Sequence, residues 1–119
     1  MADRHREDYC QIVSINRLED LMKSIDDFAR ERDWSRFHTP SLLSMSVSIE
    51  AAELMEIFQW MSPSDSTDAL ANSEIREALS DEVADVLIYL LRLCSVAGID
   101  PIEAATSKLE KNRSRTWDR

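Results

Sequence analysis

The chain has 119 residues, a formal charge of -9 and 44% hydrophobic residues, which suits one domain with a modest core. It offers no basic face to displace counterions from a nucleic-acid backbone, so a general nucleic-acid binder is excluded. One Gly and three Pro, with Val and Ile scattered rather than alternating, predict an all-α fold.

Residues 1–15 are polar and mixed in charge and read as a flexible tail. Met1 to Asp8 has no apolar run, so no signal peptide is expected. Cys10 and Cys94 have neither a disulfide framework's number nor metal-ligand spacing, and a reducing cytoplasm is expected.

A first helix is predicted over 17–32. Asn16 is its expected cap and Glu19 the third residue of a capping box. Leu18, Leu21, Met22, Ile25, Phe28 and Ala29 follow helical spacing, and Asp20, Lys23, Asp27 and Arg30 form its wet face. The short connection after it holds Trp34, Arg36, Phe37 and His38. Aromatics in a connection either fold back over the core or form a wall for a planar ligand.

Thr39 and Pro40 are N-cap and first residue of a second helix, expected to run to Trp60 or Met61. Ser62-Pro63-Ser64-Asp65-Ser66 breaks it, and 67–73 reads as loop or short helix. A third helix is predicted over 74–97, capped by Ser73 and stopped by Gly98. Its apolar stretch, 83–97, is too short to span a bilayer and contains Asp85 and Arg92, so no membrane segment is expected. Asp100-Pro101-Ile102-Glu103 opens a fourth helix, which runs to Arg113. Lys108, Lys111, Arg113 and Arg115 form the basic cluster of an acidic chain, and 116–119 is a C-terminal tail.

Four helices with short connections predict an antiparallel four-helix bundle over 16–115. The middle two are too apolar for the outer two to cover, so assembly into a homodimer or a dimer of dimers is expected.

The informative residues are Glu50, Glu53 and Glu56 in the second helix and Glu82 and Asp85 in the third. Both helices are apolar on nearly every other side, the pattern of buried helices. Carboxylates three apart on a helix lie roughly 5–6 Å apart, and at an effective dielectric of about 20 two such charges repel by about 3 kcal/mol. Few basic residues lie nearby to neutralise them. A hard divalent cation would, and Mg²⁺ is the natural one, since it shares its shell with substrate phosphates. A di-iron carboxylate site would need Glu-x-x-His, and neither His5 nor His38 follows a Glu by three. Glu56 is a ligand or an edge residue, whereas Glu77 and Asp81 read as ordinary exposed acids. Cations such as Lys108 or Arg115 would steady phosphate charge, and Trp34, Phe37, Trp60 and Tyr89 would hold a base.

With Glu31-Arg32-Asp33-Trp34, Phe37-His38, Glu50-Ala51-Ala52-Glu53-Leu54, Phe58-Gln59-Trp60, Glu82-Val83-Ala84-Asp85, Tyr89, Lys108 and Asn112-Arg113 in hand, the chain resembles the MazG-like all-α nucleoside triphosphate pyrophosphohydrolases, and within them the dCTP pyrophosphatase branch. The resemblance covers roughly 18–115. It implies that Glu50, Glu53, Glu82 and Asp85 are the Mg²⁺ ligands and catalytic residues, that Trp34 and Trp60 hold the base, and that Tyr89, Lys108 and Asn112 contact the nucleotide. Phe37, His38 and Arg115 complete the expected substrate contacts.

The activity implied is hydrolysis of a nucleoside triphosphate, dCTP or a modified dCTP first, to monophosphate and pyrophosphate by metal-activated water. Related substrates such as dUTP or phosphoribosyl-ATP, and a non-catalytic helical nucleotide-binding or assembly module, are the competing expectations. The chain departs from the dCTP branch at Ile25, where those enzymes carry a histidine, and at Ile49, where a small residue is common.

Overall fold

The computed structural model describes residues 17–115. The tails expected over 1–15 and 116–119, and the cap expected at Asn16, lie outside the described residues.

Helix α1 spans Leu18–Glu31. It starts one residue later than the spacing suggested, with an extended Arg17 in the cap position and no side-chain cap. It ends where Asp33 enters the left-handed region at φ 55, a conformation Asp tolerates better than most residues. That reversal lets the Trp34 N–H donate to the Ala29 carbonyl at 2.9 Å. The indole thereby folds back edge-on to Phe28, with ring centroids 5.3 Å apart.

A 3₁₀ turn, Ser35–Phe37, leads to α2, Pro40–Glu56. The expected Thr39 cap forms: its Oγ1 accepts from the Leu42 N–H at 3.3 Å. The helix is shorter than expected, ending at Glu56 and not at Trp60 or Met61. There the chain tightens into successive short-range turns, Phe58 N–H to Met55 O at 3.0 Å and Met61 N–H to Phe58 O at 3.0 Å. The apolar pattern continues through these turns and so hides the end.

The region around 63–71 is helical: α3, Pro63–Asp68, is followed by a 3₁₀ turn at Ala69–Ala71. The serine-proline break is itself a helix start, since Ser62 Oγ accepts from the Asp65 N–H at 3.1 Å.

Helix α4 spans Ser73–Ala97. Its cap is Asn72, one residue before the expected Ser73, because the carboxamide Oδ1 accepts from both Glu74 N–H at 2.9 Å and Ile75 N–H at 3.2 Å. Gly98 closes it in the left-handed conformation at φ 69, as the sequence led one to expect. Helix α5, Pro101–Arg113, starts on Asp100, whose Oδ1 accepts from Ile102 and Glu103 N–H.

Helix α2 packs most extensively on α4, and α1 packs on α4 beside the α1–α2 connection. Among the described residues, helix α5 makes no extensive contact with any other element. Among the described residues the chain is all-helical, and α5 stands apart from the α1–α4 and α2–α4 packing.

Among the described residues only Ile25, Ala29, Leu43 and Leu91 are buried. Met45, Ile49 and Met55 on α2, Val83 and Leu90 on α4, and Leu109 on α5 all stand exposed. No described helix is long and apolar enough to cross a membrane.

Candidate metal centre and aromatic cavity

The α2–α4 contact positions the acids. Leu43, Val47, Glu50 and Leu54 recur at helical spacing along one stripe of α2, and all are buried or partly buried. Leu79, Glu82 and Val86 do the same on α4. Glu50 and Glu82 thus occupy positions that packing would give to aliphatic side chains. Oxygens of Glu50, Glu53 and Glu82 lie within 4.8 Å of one another.

Glu50 Oε2 and Glu82 Oε2 are buried without a hydrogen-bond partner. No ion pair among the described residues involves Glu50, Glu53 or Glu82. Burying carboxylates without partners is costly. The cost shows in their protonation. Burial, a hydrogen bond with Glu53 and the charges of Glu53, Asp85 and Glu82 push the Glu50 carboxyl from its ordinary 4.5 up to about 7. Glu82 is also raised, by burial and then by Glu53's charge.

Asp85, one turn beyond Glu82, adds its charge to both but stands outside the close trio. An all-carboxylate oxygen set with unpaired buried acceptors fits a hard divalent cation. Glu56, Glu77 and Asp81 are exposed.

Asp85 also lines a cavity of about 240 Å³ between α1, α4 and the α1–α2 connection. Phe28, Trp34, His38, Ile88 and Tyr89 form its aromatic and apolar walls, over Ile25 and Ala29. Arg92 sits at its edge with only 12% of the side chain exposed. Arg92 Nη1 donates to Asp26 Oδ1 at 2.8 Å and Nε donates to His38 Nδ1 at 2.9 Å. Burial, then the Arg92 charge, holds the His38 imidazole below its ordinary value.

The structure thus brings Trp34, His38, Tyr89 and Asp85 together beside the acidic trio. Other expected contacts do not join them within one chain. Phe37 carries the Arg36 guanidinium 4.6 Å above its ring and does not line the cavity. Trp60 is 91% exposed. Lys108, Asn112 and Arg115 belong to α5 and its end; Lys108 and Arg115 are exposed, and Asn112 Oδ1 is buried without a partner.

Asp26 and Arg92 escaped the sequence reading as site residues. The available signal was a lone arginine inside the most apolar stretch of the chain, which has to find a counter-charge.

A helical chain whose two central helices carry facing carboxylates beside an aromatic cavity has known relatives. The MazG-like family model matches residues 45–117, and the chain belongs to that family. dCTP pyrophosphatase 1 of Rattus norvegicus is 40% identical over 98 residues, covering 82% of this chain and 58% of the relative. The Homo sapiens protein of that name is 39% identical over the same span. The chain therefore spans little more than half the length of these relatives. A dATP/dGTP diphosphohydrolase of Cyanophage S-2L is 53% identical over 38 residues, 32% of this chain and 36% of the relative. Among solved structures, a pyrophosphatase from Archaeoglobus fulgidus superposes with a TM-score of 0.76 at 45% identity, covering 82% of this chain and 90% of that one.

Proposed function

We propose that residues 16–115 form a Mg²⁺-dependent nucleoside triphosphate pyrophosphohydrolase, acting on dCTP or a modified dCTP in the cytoplasm. The observation that carries this is the pair of buried, unpartnered oxygens, Glu50 Oε2 and Glu82 Oε2, set beside an aromatic cavity large enough for a base. The names of the relatives, dCTP pyrophosphatase and dATP/dGTP diphosphohydrolase, support the reaction class.

Glu50, Glu53, Glu82 and Asp85 are the residues that would hold Mg²⁺. When bound, the ion supplies Lewis acidity that polarises a phosphoryl oxygen and acidifies a water. Trp34 and Tyr89 hold the base by ring contact. With Asp85 shared between cavity and acidic cluster, a base in the cavity leads its phosphates toward the carboxylates. Incubation with Mg²⁺ and a panel of dCTP, dUTP, dATP and phosphoribosyl-ATP, with products resolved by chromatography, should give monophosphate and pyrophosphate, with dCTP fastest. Release of single phosphate, or no turnover on any member, would overturn the reading.

The unit is a homodimer or homotetramer on this reading, and a second copy completes the four-helix bundle. The open α5 and the exposed apolar residues of α2 and α4 need a cover. A second copy would supply it and bring Phe37, Trp60, Lys108, Asn112 and Arg115 to the partner's cavity. Two inactive variants, Glu53→Gln and Lys108→Ala, should then restore about a quarter of wild-type activity when refolded together, by statistical pairing of chains in a two-fold assembly. A monomer by light scattering, or a mixture that stays inactive, would show that each chain builds its own site.

A further inference from the structure

Arg92 is an expensive way to join two helices. A guanidinium taken out of water loses hydration that its partner only partly restores, and an apolar side chain of similar size packs as well or better. Here it stays largely buried at the wall of the aromatic cavity, held on two sides by Asp26 and His38. Both interactions fix orientation. Asp26 neutralises the charge, and the plane of the guanidinium is set by Nε and Nη1 being engaged at once.

The contact with His38 has a second consequence. Arg92 Nε–H can only donate, so His38 Nδ1 must accept, and the imidazole proton resides on Nε2. Neither that Nε2–H nor the Arg92 Nη2 hydrogens make a hydrogen bond among the described residues. The cavity edge therefore offers donors. The carboxylate on its lining, Asp85, adds its charge to the acidic cluster.

Resting on the triphosphate reading above, we propose that Arg92, braced by Asp26 and presenting His38 as a donor, is the specificity-determining group of the cavity and selects bases that carry a carbonyl oxygen. Guanidinium and imidazole N–H groups match the carbonyl and ring-nitrogen acceptors of cytosine or guanine. Adenine carries no carbonyl oxygen, so it offers these donors ring nitrogens alone.

The test compares kcat/KM for dCTP and dGTP with that for dATP, in wild type, Arg92→Met and Asp26→Asn. Wild type should favour the carbonyl-bearing bases. Arg92→Met should shrink the dCTP-to-dATP ratio by about 10–100-fold, the scale of a lost hydrogen bond to a charged donor. Asp26→Asn should shrink it less, by about 3–10-fold, because the guanidinium remains but is held by a neutral partner. A role confined to helix packing would lower both substrates together and leave the ratio unmoved, which overturns the proposal, as does a wild type without base preference.

Calorimetry of dCMP against dAMP separates this from the hydrolysis reading. A dCMP preference that Arg92→Met abolishes upholds base selection even where no triphosphate is split. Equal binding of the two, before and after substitution, rejects it. If Arg92→Met does not fold by circular dichroism, Asp26→Asn decides on the same ratio.

Discussion

Glu50→Gln is expected to abolish the proposed hydrolysis while raising the melting temperature of the metal-free protein. Glu50 lies on the packing stripe of α2 facing α4, among Leu43, Val47 and Leu54. One of its oxygens sits within 4.8 Å of an oxygen each of Glu53 and Glu82, and its Oε2 has no hydrogen-bond partner. Above about pH 7, where Glu50 has given up its proton, this arrangement keeps like charges together without compensation. Glutamine keeps the shape, removes one negative charge and adds N–H donors for the neighbouring carboxylates. Repulsion is relieved, so thermal melts without Mg²⁺ should shift upward.

On the proposed reading the same change removes an anionic ligand. Losing several kcal/mol of metal-derived stabilisation of the transition state should lower kcat/KM by at least about 10³-fold. The two effects have opposite signs and come from one charge, which distinguishes a metal cradle from a packing residue. A variant that melts lower and still turns over would place Glu50 in the core and outside the site. Mg²⁺ should stabilise wild type markedly and Glu50→Gln little.

That charge placement was legible in the chain before any coordinates, because acids at core register in apolar helices conflict with every packing rule except one that supplies a cation. The helix starts at Thr39-Pro40 and Asp100-Pro101 and the stop at Gly98 were equally legible, since each rests on local hydrogen bonds that a few adjacent residues determine. The end of α2 was not. Ile57, Phe58 and Trp60 continue the apolar pattern, and only the change in hydrogen-bond register after Glu56 stops the helix.

The Asp26–Arg92–His38 network was hidden for a different reason. Its members are 54 and 66 residues apart in sequence, and nothing local to Asp26 separates it from the acids of the wet face. Pairing across the α1–α4 interface depends on how those helices sit, which periodicity leaves open. Trp34 was ambiguous in sequence for a similar reason: the fold-back at Asp33 sets it against Phe28 on the cavity lining, still 42% exposed, and that turn of the chain is not written in the local pattern. Helix α5 illustrates the remaining gap. Its boundaries follow from its cap, but among the described residues it makes no extensive contact that would show what it packs against.

The second large effect is on pH. Glu50 retains its proton up to about 7 in the folded state, against an ordinary 4.5, chiefly through burial and its contacts with Glu53. Between these values the folded metal-free protein binds more protons than the unfolded chain, so its stability falls as pH rises from about 4.5 to about 7 and levels off above. The raised Glu82 adds to the same slope. A cation has to displace the retained proton, because ligating carboxylates must be ionised. Mg²⁺ affinity should therefore strengthen by up to about tenfold per pH unit below about 7 and flatten beyond it, for release of one proton. Calorimetric titration of Mg²⁺ at about pH 6, in two buffers of different ionisation enthalpy, should show close to one proton released, and at about pH 8.5 almost none. Glu50→Gln should remove most of that release. Titrations with no buffer dependence at either pH would mean that the acidic trio is already fully ionised in the folded chain, and that the cation binds without competing for Glu50.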